Sequence, residues 1–221
     1  MFIGHYGVAL GLKKADKAIS LGLLFLAVQA VDILWPIFVL LGVEKVAIVP
    51  GITAANPLDF VYYPFTHSLL AAFFWSAVVW FLCRWLPMTP GSHPRRAAWI
   101  LSAAVFSHFV LDFIVHRPDL PLFPGGGSIK IGLGLWNHLG AAYLLEGVIF
   151  VGGLWIYLKS TKGTTFAGKY GMVILALFLL VANFINFFGS PPPSGTAVAA
   201  SALIFNPLIA WLVFWLDKKR T

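Results

Sequence analysis

Apolar residues run through this chain in long unbroken stretches, separated by short polar or glycine- and proline-rich connectors. The pattern is neither the strict alternation of a half-buried strand nor the single apolar stripe of a surface helix. Six stretches, residues 18–41, 66–85, 97–115, 134–157, 170–188 and 197–216, hold 19 to 24 residues each. At ~1.5 Å of rise per residue, helices of that length match a hydrocarbon core of ~30 Å. The pattern predicts an all-α protein, a polytopic membrane helical bundle of about six transmembrane helices forming one domain over residues 1–221. The first stretch follows Lys13, Lys14 and Lys17 but lacks a small-residue cleavage site. It reads as an uncleaved span and not as a signal peptide.

Composition agrees with this reading. Hydrophobic residues make up 60% of the chain and charged ones 10%, against roughly 25% charged in soluble domains, and the mean hydropathy is +0.89. The net charge of +7 does not point to nucleic acid, because the basic residues sit in ones to threes between spans. Twelve of the 15 fall in alternate connectors: Lys13, Lys14, Lys17, Arg84, Arg95, Arg96, Lys159, Lys162, Lys169, Lys218, Lys219 and Arg220. Only Lys45, Arg117 and Lys130 occupy the others. The positive-inside rule then predicts both termini of this multi-pass protein to be cytoplasmic; membrane lipids are its expected neighbours, and the membrane is read as a bacterial-type inner (plasma) membrane. Trp85, Trp99, Trp136, Trp155, Tyr157 and Trp215 lie near span ends, where interfacial anchors are expected. A single cysteine, Cys83, excludes an internal disulfide and a thiolate metal cluster.

Two outer connectors are richer than simple links. Residues 42–65, with VPGITAANPLDFVYYPF, predict an ordered cap. Residues 116–133 contain Gly125, Gly126 and Gly127, whose N–H groups, with Lys130, would suit an anion.

Ionisable residues inside spans are costly and by default mark function. Asp32 lies within the first span one turn before Pro36, and His67 opens the second. The sharpest pattern is SHFVLDFIVH, which places His108, Asp112 and His116 at steps of four and therefore on one helix face. A histidine and an aspartate four residues apart can offer a nitrogen and an oxygen to one divalent cation. His138 and Glu146 in the fourth span are two turns apart, and Glu146 falls near mid-membrane. Asp59 is a further candidate, as a ligand or as a partner that orients a histidine. The last two spans carry Asn183, Asn186 and Asn206, which suit helix packing. Such a ligand set would bind zinc or manganese and make water a nucleophile near neutral pH, with Arg117 or Lys130 neutralising an anionic substrate. The same carboxylates, Asp32, Asp112 and Glu146, would also suit a cation-coupled transporter or channel. A purely structural polar seam is the third reading.

His5 in GHYG, Asp32 in DILWP, His67 in FTHS, and Ser107, His108 and Asp112 in SHxxxD resemble the YdjM-like, or DUF457-like, family of membrane-bound metal-dependent hydrolases. The resemblance covers roughly residues 1–125. That family's pattern is in turn similar to the all-helical zinc-dependent phospholipase C enzymes, which implies a distantly similar helical fold. By resemblance, His5, Asp32, His67, His108 and Asp112 would be metal ligands, joined by His116 and Glu146, with Asp32, His67 and Asp112 at the reacting centre. The substrate would be a phosphoester or lipid-linked ester. The acidic motif departs from the family's Pro-Asp-x-Asp form, since Val31 precedes Asp32 and Leu34 takes the last place. His5 precedes the first basic cluster and by charge belongs on the cytoplasmic side, away from the other ligands. Three readings meet this conflict: residues 1–12 re-enter the membrane as a short helix, His5 is not a ligand, or the charge rule misleads here.

Overall fold

The computed structural model describes every residue except Pro87, Met88 and Gly126. The chain opens with three short helices, α1 (Ile3–Leu12), α2 (Leu21–Val28) and α3 (Ala30–Leu40). An antiparallel hairpin of β1 (Lys45–Ile48) and β2 (Leu58–Tyr62) follows, then α4 (Pro64–His67), α5 (Leu69–Trp85) and α6 (Pro94–Val115). A second small hairpin, β3 (Leu120–Pro121) with β4 (Lys130–Ile131), leads to α7 (Leu139–Ser160), α8 (Phe166–Phe188) and α9 (Gly195–Asp217).

Among the described residues, α6, α7, α8 and α9 are long and apolar enough to cross a membrane. The stretch expected as one first span is instead the pair α2 and α3, bent by 50°, which makes a fifth crossing if counted together. The stretch expected over 66–85 is interrupted at Ser68, whose backbone is extended and whose side chain accepts the Ala71 N–H. A serine that caps the following helix cannot also continue the preceding one. The apolar helix that remains, α5, has only 17 residues. Large apolar side chains such as Phe73, Phe74, Leu177, Ile204 and Trp211 face outward over the bundle, as lipid-facing surfaces do and water-facing ones rarely do.

The predicted basic side gathers at one end of the bundle. Lys13 Nζ donates to Asp217 Oδ2 at 2.7 Å, and the same carboxylate accepts from Leu21 N–H and the Tyr157 hydroxyl. Arg96 bonds the Ala15 carbonyl, and Arg220 bonds Thr161 and the Gly168 carbonyl. The two hairpins form the ordered cap expected at the opposite end, where β1 meets the start of α9. Two residues expected as interfacial anchors are not at the surface. Tyr157 is fully buried in the Asp217 network, and Trp136 is buried against His116. Trp85, Trp99, Trp155 and Trp215 are exposed.

The position of α1 resolves the conflict over His5. The helix is sunk in the bundle, with Ile3 through Gly7 buried, and it crosses α7 where Gly7 faces Gly153. A Cβ at Gly153 would overlap the Gly7 carbonyl, and one at Gly7 would overlap the Ile149 carbonyl, so the two backbones touch. The short helix thus runs inward from the Lys13–Asp217 anchor, bringing His5 to the depth of the last turns of α6.

Candidate metal centre

The break between α2 and α3 and the proline in α3 each free a backbone carbonyl, and each carbonyl is used. At the break, the Val28 carbonyl accepts from His108 Nδ1 at 2.7 Å. Pro36 has no N–H to offer the carbonyl four residues back, that of Asp32. Asn206 on α9 supplies a donor to it at 3.5 Å, and Asn206 is itself held by the Tyr6 hydroxyl at 2.8 Å. The deformed first span therefore fixes both Asp32 and His108.

Three histidines share one arrangement. His108 gives Nδ1 to the Val28 carbonyl, and His116 gives Nδ1 to Asp119 Oδ1 at 2.9 Å. His67 Nδ1 lies 2.7 Å from the Thr66 hydroxyl, whose only proton goes to Glu44 Oε2 at 2.7 Å, so this imidazole too must donate from Nδ1. Each ring consequently turns Nε2 inward. His108 Nε2 is 3.2 Å from Asp112 Oδ2 and 3.5 Å from Asp32 Oδ1. His67 Nε2 is 3.2 Å from Asp32 Oδ1 and 3.9 Å from Asp112 Oδ2, and His116 Nε2 is 3.8 Å from Asp112 Oδ2. A neutral imidazole protonated at Nδ1 presents a lone pair at Nε2, and a lone pair facing a carboxylate is repulsive unless a proton or a metal cation lies between them. Two ligand atoms on one tetrahedral ion at ~2.1 Å lie about 3.4 Å apart, and the Nε2–carboxylate spacings of these three histidines, 3.2 to 3.9 Å, bracket that value. The buried His108 Nε2 has no hydrogen-bond partner.

His5 completes the cluster. Its ring stacks on His108 with centroids 3.7 Å apart, its Nε2 is 3.2 Å from Asp112 Oδ1, and neither nitrogen makes a hydrogen bond. Two groups hold their ligand atoms within 4.8 Å of one another: His5, Asp32 and His108, and His67, His108 and Asp112. The Met1 amino group donates to Asp112 Oδ1 at 2.6 Å. Glu146 lies beside these residues, where its Oε2 accepts the Phe2 and Gly4 N–H groups at 2.9 and 3.4 Å. It thereby satisfies the free amides that begin α1.

A chain of supports lies behind His116. Burial alone would raise the Asp119 carboxyl, but hydrogen bonds from His116, Tyr63 and Arg117 outweigh it and hold the group below its ordinary range. Arg117 spans Asp119 and Asp59, so Asp59 reaches the centre only through Arg117, Asp119 and His116. Behind His67, burial pushes the Glu44 carboxyl up, although three donors from Phe65 and Thr66 meet it. Arg117 is committed to two carboxylates, and Lys130 is exposed on β4. His138 is exposed at the start of α7. The triglycine run includes Gly126, which lies outside the described residues, so the anion cradle expected there is not described. Glu44, Asp119 and Tyr63 were not singled out in the sequence, because each lies in a connector where an acid or tyrosine is ordinary. Ser68 caps α5, and the neighbouring Thr66 serves His67.

A cavity of about 450 Å³ opens onto the cluster, lined at its polar end by Asp32, His67, Asp112 and His116 and along its sides by Trp35, Phe60, Trp136 and residues of α8 and α9. The protein thus has a buried His/Asp cluster able to coordinate a metal ion, reached from an apolar cavity in a membrane-type helical bundle. Comparison with protein families, curated proteins and solved structures finds no match for this chain. What the site does is therefore argued from its geometry.

One prediction follows from the His67 support. Thr66→Val removes the hydroxyl between Glu44 and His67 while keeping the shape, and metal affinity is expected to fall about 10- to 100-fold. Competition titration against a fluorescent chelator checks this.

Proposed function

We propose that this protein is a membrane-embedded, metal-dependent hydrolase acting on a phosphoester or lipid-linked ester. The observation that supports this most is the common orientation of His67, His108 and His116, each fixed through Nδ1 and aimed through Nε2 at Asp32 and Asp112. Supporting partners on the far ring nitrogen are a regular feature of metal-ligating histidines. With nitrogen and carboxylate ligands and no thiolate, zinc or manganese fits best. His5, Asp32, His67, His108, Asp112 and His116 would hold one or more such ions, and Glu146 would hold α1 in register so that His5 reaches the centre. A divalent ion there supplies Lewis acidity and lowers the pKa of water. Asp32 is less buried than Asp112 or Glu146, with a quarter of its side chain exposed, and it lines the cavity. Asp32 would take a proton from an attacking water, and His67, 3.2 Å away, would serve beside it as a ligand through Nε2.

In this reading α2 with α3, α5, and α6 to α9 make six crossings of a bacterial-type inner membrane, with the basic end cytoplasmic. The chain would then be a member of, or a parallel to, the YdjM-like hydrolases that its GHYG, FTHS and SHxxxD motifs resemble. A panel of phosphomonoesters and phosphodiesters presented in mixed micelles tests the activity. Metal-loaded protein is expected to hydrolyse at least one of them, with activity lost on chelation and restored by zinc or manganese. Equal turnover by His108→Ala would refute the assignment.

A further inference from the structure

The cavity does not end at the polar cluster; it continues outward between the last two helices. Its walls include Ala182, Ile185 and Asn186 of α8 and Ser201, Ala202 and Phe205 of α9. Three of these, Ile185, Asn186 and Ser201, are also exposed on the outside of the bundle, Ile185 by 61%. A residue that both lines a cavity and faces outside marks its mouth. The outer surface around that mouth is apolar, with Phe184, Phe188 and Ile204 exposed. The mouth faces the surroundings of the bundle because α9 packs mainly on α2 and α3 and leaves α8 as an outer wall.

Depth narrows the choice of occupant. Ile185 is three residues from the end of α8 and Ser201 six residues from the start of α9, about 5 and 9 Å along the helix axes. On helices of 23 residues, about 35 Å long against a hydrocarbon core of ~30 Å, that is the outermost hydrocarbon, just beneath the lipid ester and phosphate groups. A second cavity, of about 420 Å³, shares Ile185, Asn186, Val198 and Ser201 with the first and continues beneath the Pro50–Pro57 turn and the Pro191–Pro192 connector. The route therefore has an apolar side opening at the membrane boundary, a space under the outer loops, and a polar floor of histidines and carboxylates. Gln29, fully buried and lining the first cavity, has its Oε1 unpaired. It offers an acceptor to a hydroxyl of whatever enters.

From this juxtaposition we infer that the cavity takes a phosphoester lipid from the bilayer through the gap between α8 and α9, its phosphate reaching the His/Asp floor and its hydrocarbon chain remaining in the gap. The floor's affinity for phosphate rests on the metal-site reading; the gap and its apolar walls do not. Ala202 and Ala182 are then the residues that admit the chain, because each is small and partly buried where a larger side chain would close the passage.

The test uses the full chain in phosphatidylcholine nanodiscs with a trace of phosphatidic acid carrying a diazirine in its acyl chain. Crosslinked peptides are expected to concentrate on residues 182–186 and 198–206. Excess unlabelled phosphatidic acid should compete, and glycerol 3-phosphate should not. Ala202→Trp should cut this labelling roughly tenfold or more, because the indole would fill the passage the chain occupies. Ile174→Trp, exposed on α8 away from both cavities, should leave it unchanged. Should Ala202→Trp aggregate, Ala182→Phe closes the opposite wall. Labelling spread evenly over all lipid-facing helices and unaltered by the closing variants, or competition by glycerol 3-phosphate as strong as by the lipid, would overturn the inference. Metal content measured on the same samples separates the two readings. Localised labelling without metal upholds the gap and refutes the metal site, whereas metal without localised labelling does the reverse.

Discussion

Asp112→Ala is expected to empty the metal centre. Asp112 is the residue on which the cluster converges. Its Oδ2 faces His108, His116 and His67 at 3.2, 3.8 and 3.9 Å, and its Oδ1 faces His5 and the Met1 amine at 3.2 and 2.6 Å. Alanine leaves the Nε2 atoms of three oriented histidines without the carboxylate that gathers them, so the loss should exceed the roughly 100-fold seen when only a supporting partner is removed. Asp112→Asn separates charge from shape. It keeps the volume and one oxygen but removes the negative charge, and its metal affinity should fall nearly as far. Isothermal titration with zinc after chelation checks both variants. Affinity within about threefold of the parent protein in either variant would mean that Asp112 is not a ligand.

The second large effect is expected far from any ligand. Gly153→Val places a branched side chain where the α7 backbone touches Gly7 of α1. Because the obstacle is backbone and not the tip of a flexible side chain, α1 must move away, at a cost of about 3 kcal/mol or more. The displaced helix carries His5 off His108 and withdraws the Phe2 and Gly4 amides from Glu146. Detergent-solubilised Gly153→Val should melt several degrees below the parent and bind metal more weakly. Gly152→Ala is the control, since a Cβ there meets open space, and it should lower neither the melting temperature nor metal binding. An unchanged melting temperature in Gly153→Val would mean that the α1–α7 contact is not a close-packed crossing.

These two residues differ in how readily the sequence discloses them. Asp112 was legible, because a carboxylate one turn from His108 in an apolar helix has few explanations, and helical periodicity alone puts the two on one face. Asp32 was legible as a carboxylate inside an apolar run, and His67 only through the company of the other candidates. Convergence of all three on one point depended on the bend at Gln29, and no glycine or proline stands at that position to announce it. The partners behind the histidines were less visible still. Glu44 and Asp119 sit in connectors where any turn could have used them, and their role depends on which ring nitrogen they face. Charge patterning grouped the basic connectors on one side, and the pairing of Lys13 with Asp217 shows the ends it grouped to be neighbours. The same patterning set His5 on the wrong side of the bundle, because a charge count over connectors does not register a ten-residue helix that enters and stops. Span counting met a related limit at Ser68, where one capping residue shortens an apolar run that hydropathy reads as continuous.

Metal content is the most direct test of the account. Protein purified in detergent without added metal, then reconstituted with zinc or manganese and desalted, is to be analysed by plasma mass spectrometry with X-ray absorption at the metal edge. The account predicts at least one equivalent of a divalent transition metal bound through imidazole nitrogen and carboxylate oxygen, absent from Asp112→Ala prepared in parallel. Folded protein that retains no stoichiometric metal after reconstitution, or retains it equally in Asp112→Ala, would contradict it.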